Sequence, residues 1–364
     1  MPVSLDMKVT FVSPPLNLSG GNRVVAIYAE LLTRRGHEVV VVAPAHARQR
    51  SLLDLFGEKA SDPQPPSHLD GSQVSLFLSK PGRPVSSADV PDADVVIATW
   101  WETAEWVRDF PPSKGAKVYF VQHHEVHSFL PQQRTRSTYR FPLHKIVVAR
   151  WLAEVIASEY GDRGVDVVPN SVDHRQFFAA PRGKQKRPTA GLLFSTIDWK
   201  RFPMALESLV RVQKHLPELH VRCFGIEHPG APLPPFVSFS FCPAQDALRE
   251  IYASCDVWLT ASSSEGFNLP AMEAMACRTP VVATRTGWPA EAVVDGVNGA
   301  CVDVDDVDAL ARETERLLRL PDAEWRRVSQ RAFDTVRDSS WERSADLFEQ
   351  ALQRVVSRPA AVAA

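Results

Sequence analysis

Glu265 and Glu273, eight positions apart, form the most informative pair of residues in the sequence. An apolar run leads into the loop that holds Glu265, and a predicted helix that holds Glu273 follows it. Gly266 and Asn268 suit unusual backbone angles, and Pro270 suits the first turn of a helix. Such a helix start presents backbone N–H groups and a positive dipole end to a phosphate. Two carboxylates beside an anion site suit a ligand with hydroxyl groups and a diphosphate, such as a nucleotide-sugar.

Glu273 taken alone is best explained as a helix-cap partner, because a Glu in the first turn of a helix commonly has that role. The whole string from Ser264 to Glu273 is harder to explain in that way. It resembles the E-x7-E element of retaining glycosyltransferases that have two Rossmann-like domains, the GT-B fold, and it is most similar to the GT4 family.

The resemblance to the GT4 family extends over nearly the whole chain. Residues 19–22 resemble the family's glycine loop, and residues 168–173 resemble the motif that closes its first domain. Residues 295–299 continue the pattern after Glu273. Residues 340–342 resemble the start of the last helix, which in this fold crosses back onto the first domain. Single pieces are weak signals, whereas their order and spacing identify the family.

The resemblance implies a role for each glutamate and for the residues around it. Glu273 is expected to hold the ribose hydroxyls of the nucleotide, and Glu265 is expected to contact the transferred sugar. GT4-type enzymes are commonly described as retaining configuration by front-face attack, so neither glutamate is assigned as a nucleophile. The donor-binding residues implied are Gly20, Gly21, Lys200, Arg201, Gly266, Phe267, Asn268 and Leu269.

One departure from the family concerns the cations expected on the donor diphosphate. The family usually has an Arg and a Lys after the first strand of its second domain. Lys200 matches the Lys, but no Arg stands several residues before it. Arg201 is the candidate substitute, with its direction left open. Asn268 replaces a common Gly, and the loop tolerates it because Asn accepts left-handed angles.

A run with three histidines follows a predicted strand of the first half, at His123, His124 and His127. The family carries a functional His near this point. His123 or His124 is therefore the candidate catalytic residue that lines the sugar and the acceptor, and which of the two remains open. Metal binding by the three histidines ranks low, because the GT-B architecture usually needs no catalytic metal; no cofactor is expected.

Three further residues are candidates for the acceptor side: Trp100, Trp101 and Glu102 follow another predicted strand. Paired Trp residues at a strand end can stack on a sugar. Core packing is at least as good an explanation for one of the two.

Residues 303–306 look like the D-x-D motif of metal-dependent glycosyltransferases, but acids that precede a helix are better explained as N-caps.

Composition sets limits on the class of protein. The chain has 364 residues, 45% hydrophobic and 23% charged, which is ordinary for a globular protein of two domains. A net charge of -2 predicts no general affinity for nucleic acid. No apolar run approaches the length of a membrane helix, and no signal-peptide pattern opens the sequence. The five cysteines form no C-x-x-C pair and are interpreted as free thiols in a reducing cytoplasm.

Strands alternating with helices predict an α/β protein with two Rossmann-like, doubly wound parallel-sheet domains that face a central cleft. The predicted strands span residues 9–12, 38–43, 74–78, 94–99, 117–122, 146–148 and 165–168, and then 190–196, 219–224, 237–241, 257–260, 280–284 and 299–302. The predicted domains are an acceptor-side domain at 1–180, a donor-nucleotide domain at 189–338 and a crossing helix at 339–358. The polar segment 181–188 is the predicted linker.

The leading hypothesis is a retaining glycosyltransferase that moves a sugar from a nucleotide-diphospho-sugar to a hydroxyl of a glycan, a lipid-linked sugar or a metabolite. A sugar-nucleotide epimerase or phosphorylase of the same fold is one alternative, and a non-catalytic sugar-nucleotide-binding protein is another. A basic, aromatic stretch around Tyr139 adds peripheral contact with the inner membrane face as a minor hypothesis.

Overall fold

The computed structural model describes residues 6–46 and 65–357 of the chain. The chain divides into two compact units. The first unit contains the residues up to Pro169 together with those from Glu342 onward, and the second runs from Asn170 to Trp341. Each unit has its own parallel β-sheet.

The first unit alternates strands and helices from its start. In the described residues its elements are β1 (Lys8–Val12), α1 (Gly20–Arg34), β2 (Glu38–Pro44), β3 (Ser75–Ser79), β4 (Val95–Ala98), α2 (Trp101–Arg108), β5 (Ala116–Val121), α3 (Gln132–Thr138), β6 (His144–Val147), α4 (Arg150–Tyr160) and β7 (Asp166–Val167).

The strands of the first unit lie in the order β3-β2-β1-β4-β5-β6-β7. All neighbouring pairs are parallel, with Val9 opposite both Val39 and Val95. The four residues of β4 are all fully buried, as expected for a parallel sheet covered on both faces. Chain order reverses between β1 and β4, so the loops that follow these two strands flank the topological switch point where such sheets bind ligands.

The second unit repeats the alternation. Its elements are β8 (Thr189–Leu193), α5 (Phe202–His215), β9 (His220–Gly225), β10 (Val237–Phe241), α6 (Ala247–Ala253), β11 (Val257–Thr260), α7 (Leu269–Ala276), β12 (Val281–Thr284), α8 (Pro289–Ala292), β13 (Gly299–Val302), α9 (Val307–Arg319) and α10 (Asp322–Val336).

The sheet of the second unit has the parallel order β10-β9-β8-β11-β12-β13, with its switch point between β8 and β11. Helices α5 and α9 cover one face, where Leu209, Leu310 and Leu317 are fully buried against strand residues such as Val282. On the other face, Gly191 in β8 leaves room for the Trp258 ring, because a Cβ at this position would lie 2.4 Å from that ring.

The last described helix, α11 (Trp341–Val356), belongs to the first unit from Glu342 onward. Phe348 is fully buried and stacks on Tyr28 with ring centroids 4.4 Å apart. Arg35 forms ion pairs with Asp346 and Glu349, each at 2.8 Å. A helix distant in sequence thus completes the core of the first unit.

The strands predicted from the sequence are present, with ends that differ by up to three residues. Helices α2, α3, α4 and α8 were not predicted. The segment predicted as a linker lies inside the second unit, where Arg182 pairs with Asp256 at 3.5 Å and Lys184 donates to the Leu320 carbonyl at 2.9 Å. The side chains of Arg182 and Lys184 therefore hold this segment to the rest of the second unit. No helix in the described ranges combines the length and apolarity needed to cross a bilayer.

Candidate functional site

The loop after β11 turns the chain into α7 at Asn268. Asn268 adopts a φ of 82°, in the left-handed region that Asn accepts. Its Oδ1 accepts a hydrogen bond from the Ala271 N–H at 3.3 Å, and its Nδ2 donates to Thr260 Oγ1 at 2.9 Å. The prediction for Asn268 is confirmed. Gly266 lies buried at a bend of the same loop.

Glu265 lies buried in this loop and holds a cation. Its Oε1 accepts hydrogen bonds from Ser262 Oγ and from Lys200 Nζ, each at 2.7 Å. The side chain of Glu265 is 8% exposed and that of Lys200 is 25% exposed. Lys200 ends a 3₁₀ turn that follows β8. Because β8 and β11 are the two strands at the switch point, the sheet topology itself brings Lys200 to Glu265.

Glu273 has different partners from Glu265. It is 3% exposed inside α7, and its Oε2 accepts a hydrogen bond from the Tyr252 hydroxyl at 2.8 Å. Phe267 and Leu269, the other candidates in this block, are also buried. The two glutamates are thus held separately, one by an ammonium group and one by a phenol.

Gly287 packs directly against the Glu265 loop. A Cβ at this position would lie 2.8 Å from Glu265 Cβ and 2.9 Å from the Phe267 carbonyl oxygen, and its φ is +60°. The next residue, Trp288, donates its backbone N–H to the same carbonyl at 2.8 Å and stacks on the Phe267 ring. Close backbone contact therefore fixes the loop from the β12 side.

Arg201 does not join Lys200 on Glu265. It adopts a φ of 50°, and its guanidinium forms an ion pair with Asp305, with Nε 3.2 Å from Oδ1. In the stretch where the family has its Arg, the hydroxyl of Thr196 instead donates to Glu227 Oε2 at 2.5 Å.

The acids of the D-x-D-like segment 303–306 include a helix N-cap, as predicted from the sequence. Asp306 caps α9 by accepting a hydrogen bond from the Ala309 N–H at 2.8 Å.

In the first unit, Gly20 and Gly21 form the first turn of α1, whereas the sequence predicted a loop as far as Asn22. The Ser19 side chain caps this helix by accepting from the Asn22 N–H at 3.4 Å. Gln122 donates its side-chain amide to the Gly21 carbonyl at 3.2 Å. This contact joins the start of α1 to the end of β5, next to His123.

His123 and His124 have different surroundings. Nε2 of His124 lies 2.7 Å from the Tyr160 hydroxyl, and burial lowers the pKa of His124. Nδ1 of His123 lies 3.1 Å from the His124 carbonyl oxygen; because a carbonyl only accepts, Nδ1 is the protonated nitrogen. His127 stacks on Phe129 with ring centroids 5.2 Å apart.

Glu125 is the buried centre of this region and is 1% exposed. Its Oε2 accepts from the Trp101 N–H at 2.7 Å and from the Tyr119 hydroxyl at 3.0 Å. Its backbone N–H donates to the Tyr139 hydroxyl at 2.8 Å. Burial raises the pKa of Glu125 well above its usual range. Glu125 thus ties the histidine segment to the start of α2.

The two tryptophans have different degrees of burial. Trp101 is 3% exposed and Arg134 lies over its ring, 5.0 Å from the centroid. Trp101 is therefore a core residue, as expected for one of the two tryptophans. Trp100 and Glu102 are half-buried, and burial raises the pKa of Glu102.

Two family models match the chain: Glycosyltransferase Family 4 over residues 18–176 and Glycosyl transferases group 1 over residues 237–334. Together these ranges cover more than half of the chain. The chain belongs to the GT4-like glycosyltransferases of the GT-B fold.

This GT4-like chain is similar in sequence to D-inositol 3-phosphate glycosyltransferases. The enzyme of Mycolicibacterium smegmatis is 35% identical over 120 residues, and the match covers 32% of this chain and 27% of the relative. That of Salinispora tropica is 42% identical over 107 residues, 29% of the chain and 22% of the relative. The matches thus span about a quarter of the length of these curated relatives.

Solved structures share the fold of the GT4-like chain. Anabaena Alr3699/HepE in complex with UDP and glucose has a TM-score of 0.74 at 16% identity, covering 96% of this chain and 100% of that one. Sucrose-phosphate synthase from Thermosynechococcus elongatus has a TM-score of 0.71 at 15% identity, and the match covers 95% of this chain and 98% of that one. At these identities the likeness shows the fold.

Three residues beside the candidates of one unit or the other were not predicted from the sequence: Gln122 and Glu125 in the first unit, and Tyr252 in the second. Gln122 and Glu125 flank the predicted histidines, so their position was a usable signal. Tyr252 lies 21 residues before Glu273, and nothing in the sequence pattern connects the two.

The basic stretch of the GT4-like chain around Tyr139 is an ion-paired surface. Four of its basic side chains have an acidic partner at 2.5–2.7 Å: Arg134 with Glu105, Arg136 with Glu159, His144 with Asp166 and Lys145 with Asp162. Arg140 instead lies over the Tyr160 ring, 4.9 Å from its centroid.

Among the described residues of the GT4-like chain, no group of three or more His, Cys, Asp or Glu side chains is arranged to hold a metal ion. The five cysteines all lie in this part of the chain and are unpaired; Cys242 is exposed and the others are buried.

Proposed function

We propose that this protein transfers a sugar from a nucleotide-diphospho-sugar to a hydroxyl group of an acceptor, with retention of anomeric configuration. The observation that carries the proposal is the cluster at the switch point of the second unit. Lys200 and Glu265 meet there at the ends of β8 and β11, and the loop that holds Glu265 leads into α7, which carries Glu273.

The chemistry requires that charge on the leaving diphosphate be stabilised while the sugar becomes oxocarbenium-like. Lys200 supplies a cation, and the start of α7 supplies backbone N–H groups and the positive end of a helix dipole. In this proposal Glu265 binds the transferred sugar and Glu273 binds the ribose hydroxyls, as the resemblance to the family implies. Both are buried carboxylates that accept hydrogen bonds, which suits them to hydroxyl-bearing groups.

The first unit supplies the acceptor-side groups in this proposal. His123 is the better candidate for the functional histidine, because Nε2 of His124 already contacts the Tyr160 hydroxyl in an aromatic cluster. With its proton on Nδ1, a neutral His123 has an acceptor nitrogen at Nε2, suited to a hydroxyl group. No metal takes part in the proposed reaction.

The relatives suggest which donors and acceptors to test. Structures of Anabaena Alr3699/HepE contain UDP-glucose, or UDP and glucose, and the curated relatives act on D-inositol 3-phosphate according to their names. UDP-glucose is therefore the first donor to test, and D-inositol 3-phosphate is one acceptor beside glycans and lipid-linked sugars.

The experiment is a thermal-shift screen against UDP, GDP, ADP, dTDP and their sugars, followed by a transfer assay with EDTA present. A true ligand at 100 times its Kd raises stability by about 2.7 kcal/mol. Transfer that persists in EDTA and yields a product of unchanged anomeric configuration by NMR supports the proposal. A screen in which no nucleotide stabilises the protein refutes the donor site.

A second candidate is a non-catalytic sugar-nucleotide-binding protein. The absence of the family Arg favours it, since Thr196 binds Glu227 in that stretch and Arg201 binds Asp305. Nucleotide-sugar binding without transfer to any acceptor, and without hydrolysis of the donor, would select this candidate.

A further inference from the structure

We infer that Tyr252 is a positioning residue for nucleotide recognition, and that it sets the preference of the donor site for ribose over deoxyribose. The inference deepens the proposed function and rests on it, because Glu273 must be the group that holds the ribose hydroxyls. Tyr252 acts through Glu273 and does not itself touch the nucleotide.

The contact that carries the inference is the hydrogen bond from the Tyr252 hydroxyl to Glu273 Oε2, at 2.8 Å. Both side chains are buried, with Tyr252 0% and Glu273 3% exposed. Tyr252 lies on α6, which is outside the loop and helix that carry the two glutamates. A donor from a separate element thus fixes the orientation of the Glu273 carboxylate.

The Tyr252 ring is held in place by three aromatic neighbours. The ring centroid of Trp258 lies 4.6 Å away, and those of Phe224 and Phe177 lie 5.9 Å away. All three contacts are closer to edge-on than to parallel, with interplanar angles between 65° and 89°. Because the ring cannot swing, the hydroxyl gives Glu273 a rigid reference point.

Orientation matters because a carboxylate recognises a ribose by accepting from hydroxyl groups in a narrow range of directions. A carboxylate has about four acceptor positions, more than one tyrosine can use. A site built to bind a hydroxyl rejects an analogue that lacks it, since the buried polar group then has no partner. A loosely held Glu273 loses that discrimination, whereas contacts with the base and diphosphate persist.

The test is the variant Tyr252→Phe, which removes one oxygen from a buried ring. UDP, GDP and ADP and the matching 2′-deoxynucleoside diphosphates are titrated calorimetrically against the full chain. The wild-type protein is expected to favour the ribonucleotide. In Tyr252→Phe that preference falls about five- to tenfold, because a hydrogen bond to a charged group is lost. Affinity for the deoxynucleotide stays within about twofold.

Tyr119→Phe is the matched control. It also removes a buried tyrosine–glutamate hydrogen bond, to Glu125 at 3.0 Å in the first unit. It is expected to lower the melting temperature without changing the ribose preference. A fall in the ribose preference in this control as well would overturn the inference.

The outcomes separate the inference from the function on which it rests. Equal weakening of ribo- and deoxynucleotides in Tyr252→Phe shows a purely structural role and overturns the inference. Failure of the wild type to bind any nucleoside diphosphate overturns the proposed function itself. As a second variant, Glu273→Gln must lose the same preference, and adding Tyr252→Phe to it must cause no further loss.

Discussion

The ammonium of Lys200 lies 2.7 Å from Oε1 of Glu265, although the two residues are 65 positions apart in the chain. Each charge neutralises the other in this arrangement. An ammonium group has three N–H donors, so Lys200 can hold Glu265 and a further anion at the same time. In the proposed function the pair would therefore connect recognition of the diphosphate with recognition of the sugar.

The first prediction concerns the stability of this pair. Lys200→Ala leaves a buried carboxylate without its cation and is expected to lower the free energy of unfolding by about 1–3 kcal/mol. Glu265→Gln introduced into Lys200→Ala restores part of that loss, because an amide carries no charge. Urea unfolding of the four proteins of this cycle measures the coupling. Losses that simply add, within about 0.5 kcal/mol, would show that the two side chains do not interact.

The second prediction separates the roles of the two glutamates. Glu273→Ala is expected to weaken nucleotide binding, whereas Glu265→Ala mainly lowers kcat, because only Glu265 contacts the reacting sugar in the proposed function. Calorimetry with the nucleoside diphosphate and steady-state kinetics with the nucleotide-sugar measure the two effects. Equal loss of binding in both variants with unchanged kcat contradicts this division.

The sequence predicted most of the fold because the signals are local. Strands such as β11 are short apolar runs, and Asn268 and Pro270 mark the start of α7 through their own backbone preferences. The same local block predicted Glu265 and Glu273. Family resemblance then assigned Lys200, whose contact with Glu265 depends on strand order rather than on anything nearby in the sequence.

What the sequence did not predict depends on contacts between distant residues. Helix α2 begins at Trp101 without a side-chain cap from its N-cap residue, Trp100, and its first N–H group binds Glu125 instead. No local helix-start rule detects a cap that lies 24 residues away. The direction of the Arg201 side chain could not be predicted either, because its partner Asp305 is 104 positions away in the sequence.

The third prediction distinguishes the two histidines. His123→Ala is expected to lower kcat about 100-fold or more, with little change in melting temperature. His124→Ala removes the contact with the Tyr160 hydroxyl and is expected to cost about 1 kcal/mol of stability, with a smaller effect on kcat. Kinetics and thermal unfolding of both variants provide the test. The reverse pattern would make His124 the functional residue.

The fourth prediction is a pH dependence that arises from Glu125. Burial raises the folded-state pKa of Glu125 above its unfolded value, and Tyr119, Tyr139 and Glu102 are titratable neighbours. The folded state therefore binds the proton more tightly, and this contribution to stability is full below the unfolded pKa, about 4.3, and is lost as pH rises through the folded pKa. In Glu125→Gln that loss is absent.

The stability of Glu125→Gln relative to the wild type should consequently increase as pH rises above about 4.3. Urea unfolding at a series of pH values measures the difference. A difference that is constant with pH would show that the carboxyl group of Glu125 titrates normally in the folded protein.

The fifth prediction uses two glycines with similar backbone angles, Gly287 at φ +60° and Gly296 at φ +73°. Alanine at either position incurs the left-handed penalty of about 1–2 kcal/mol. Only at Gly287 does the added Cβ also meet the Glu265 loop, since around Gly296 nothing lies within 4 Å. Gly287→Ala is therefore expected to lose more stability than Gly296→Ala and to lose turnover as well, because Glu265 and Phe267 must shift. Unfolding and kinetic measurements on both variants test this, and equal behaviour of the two would show that the packing of Gly287 does not set the position of Glu265.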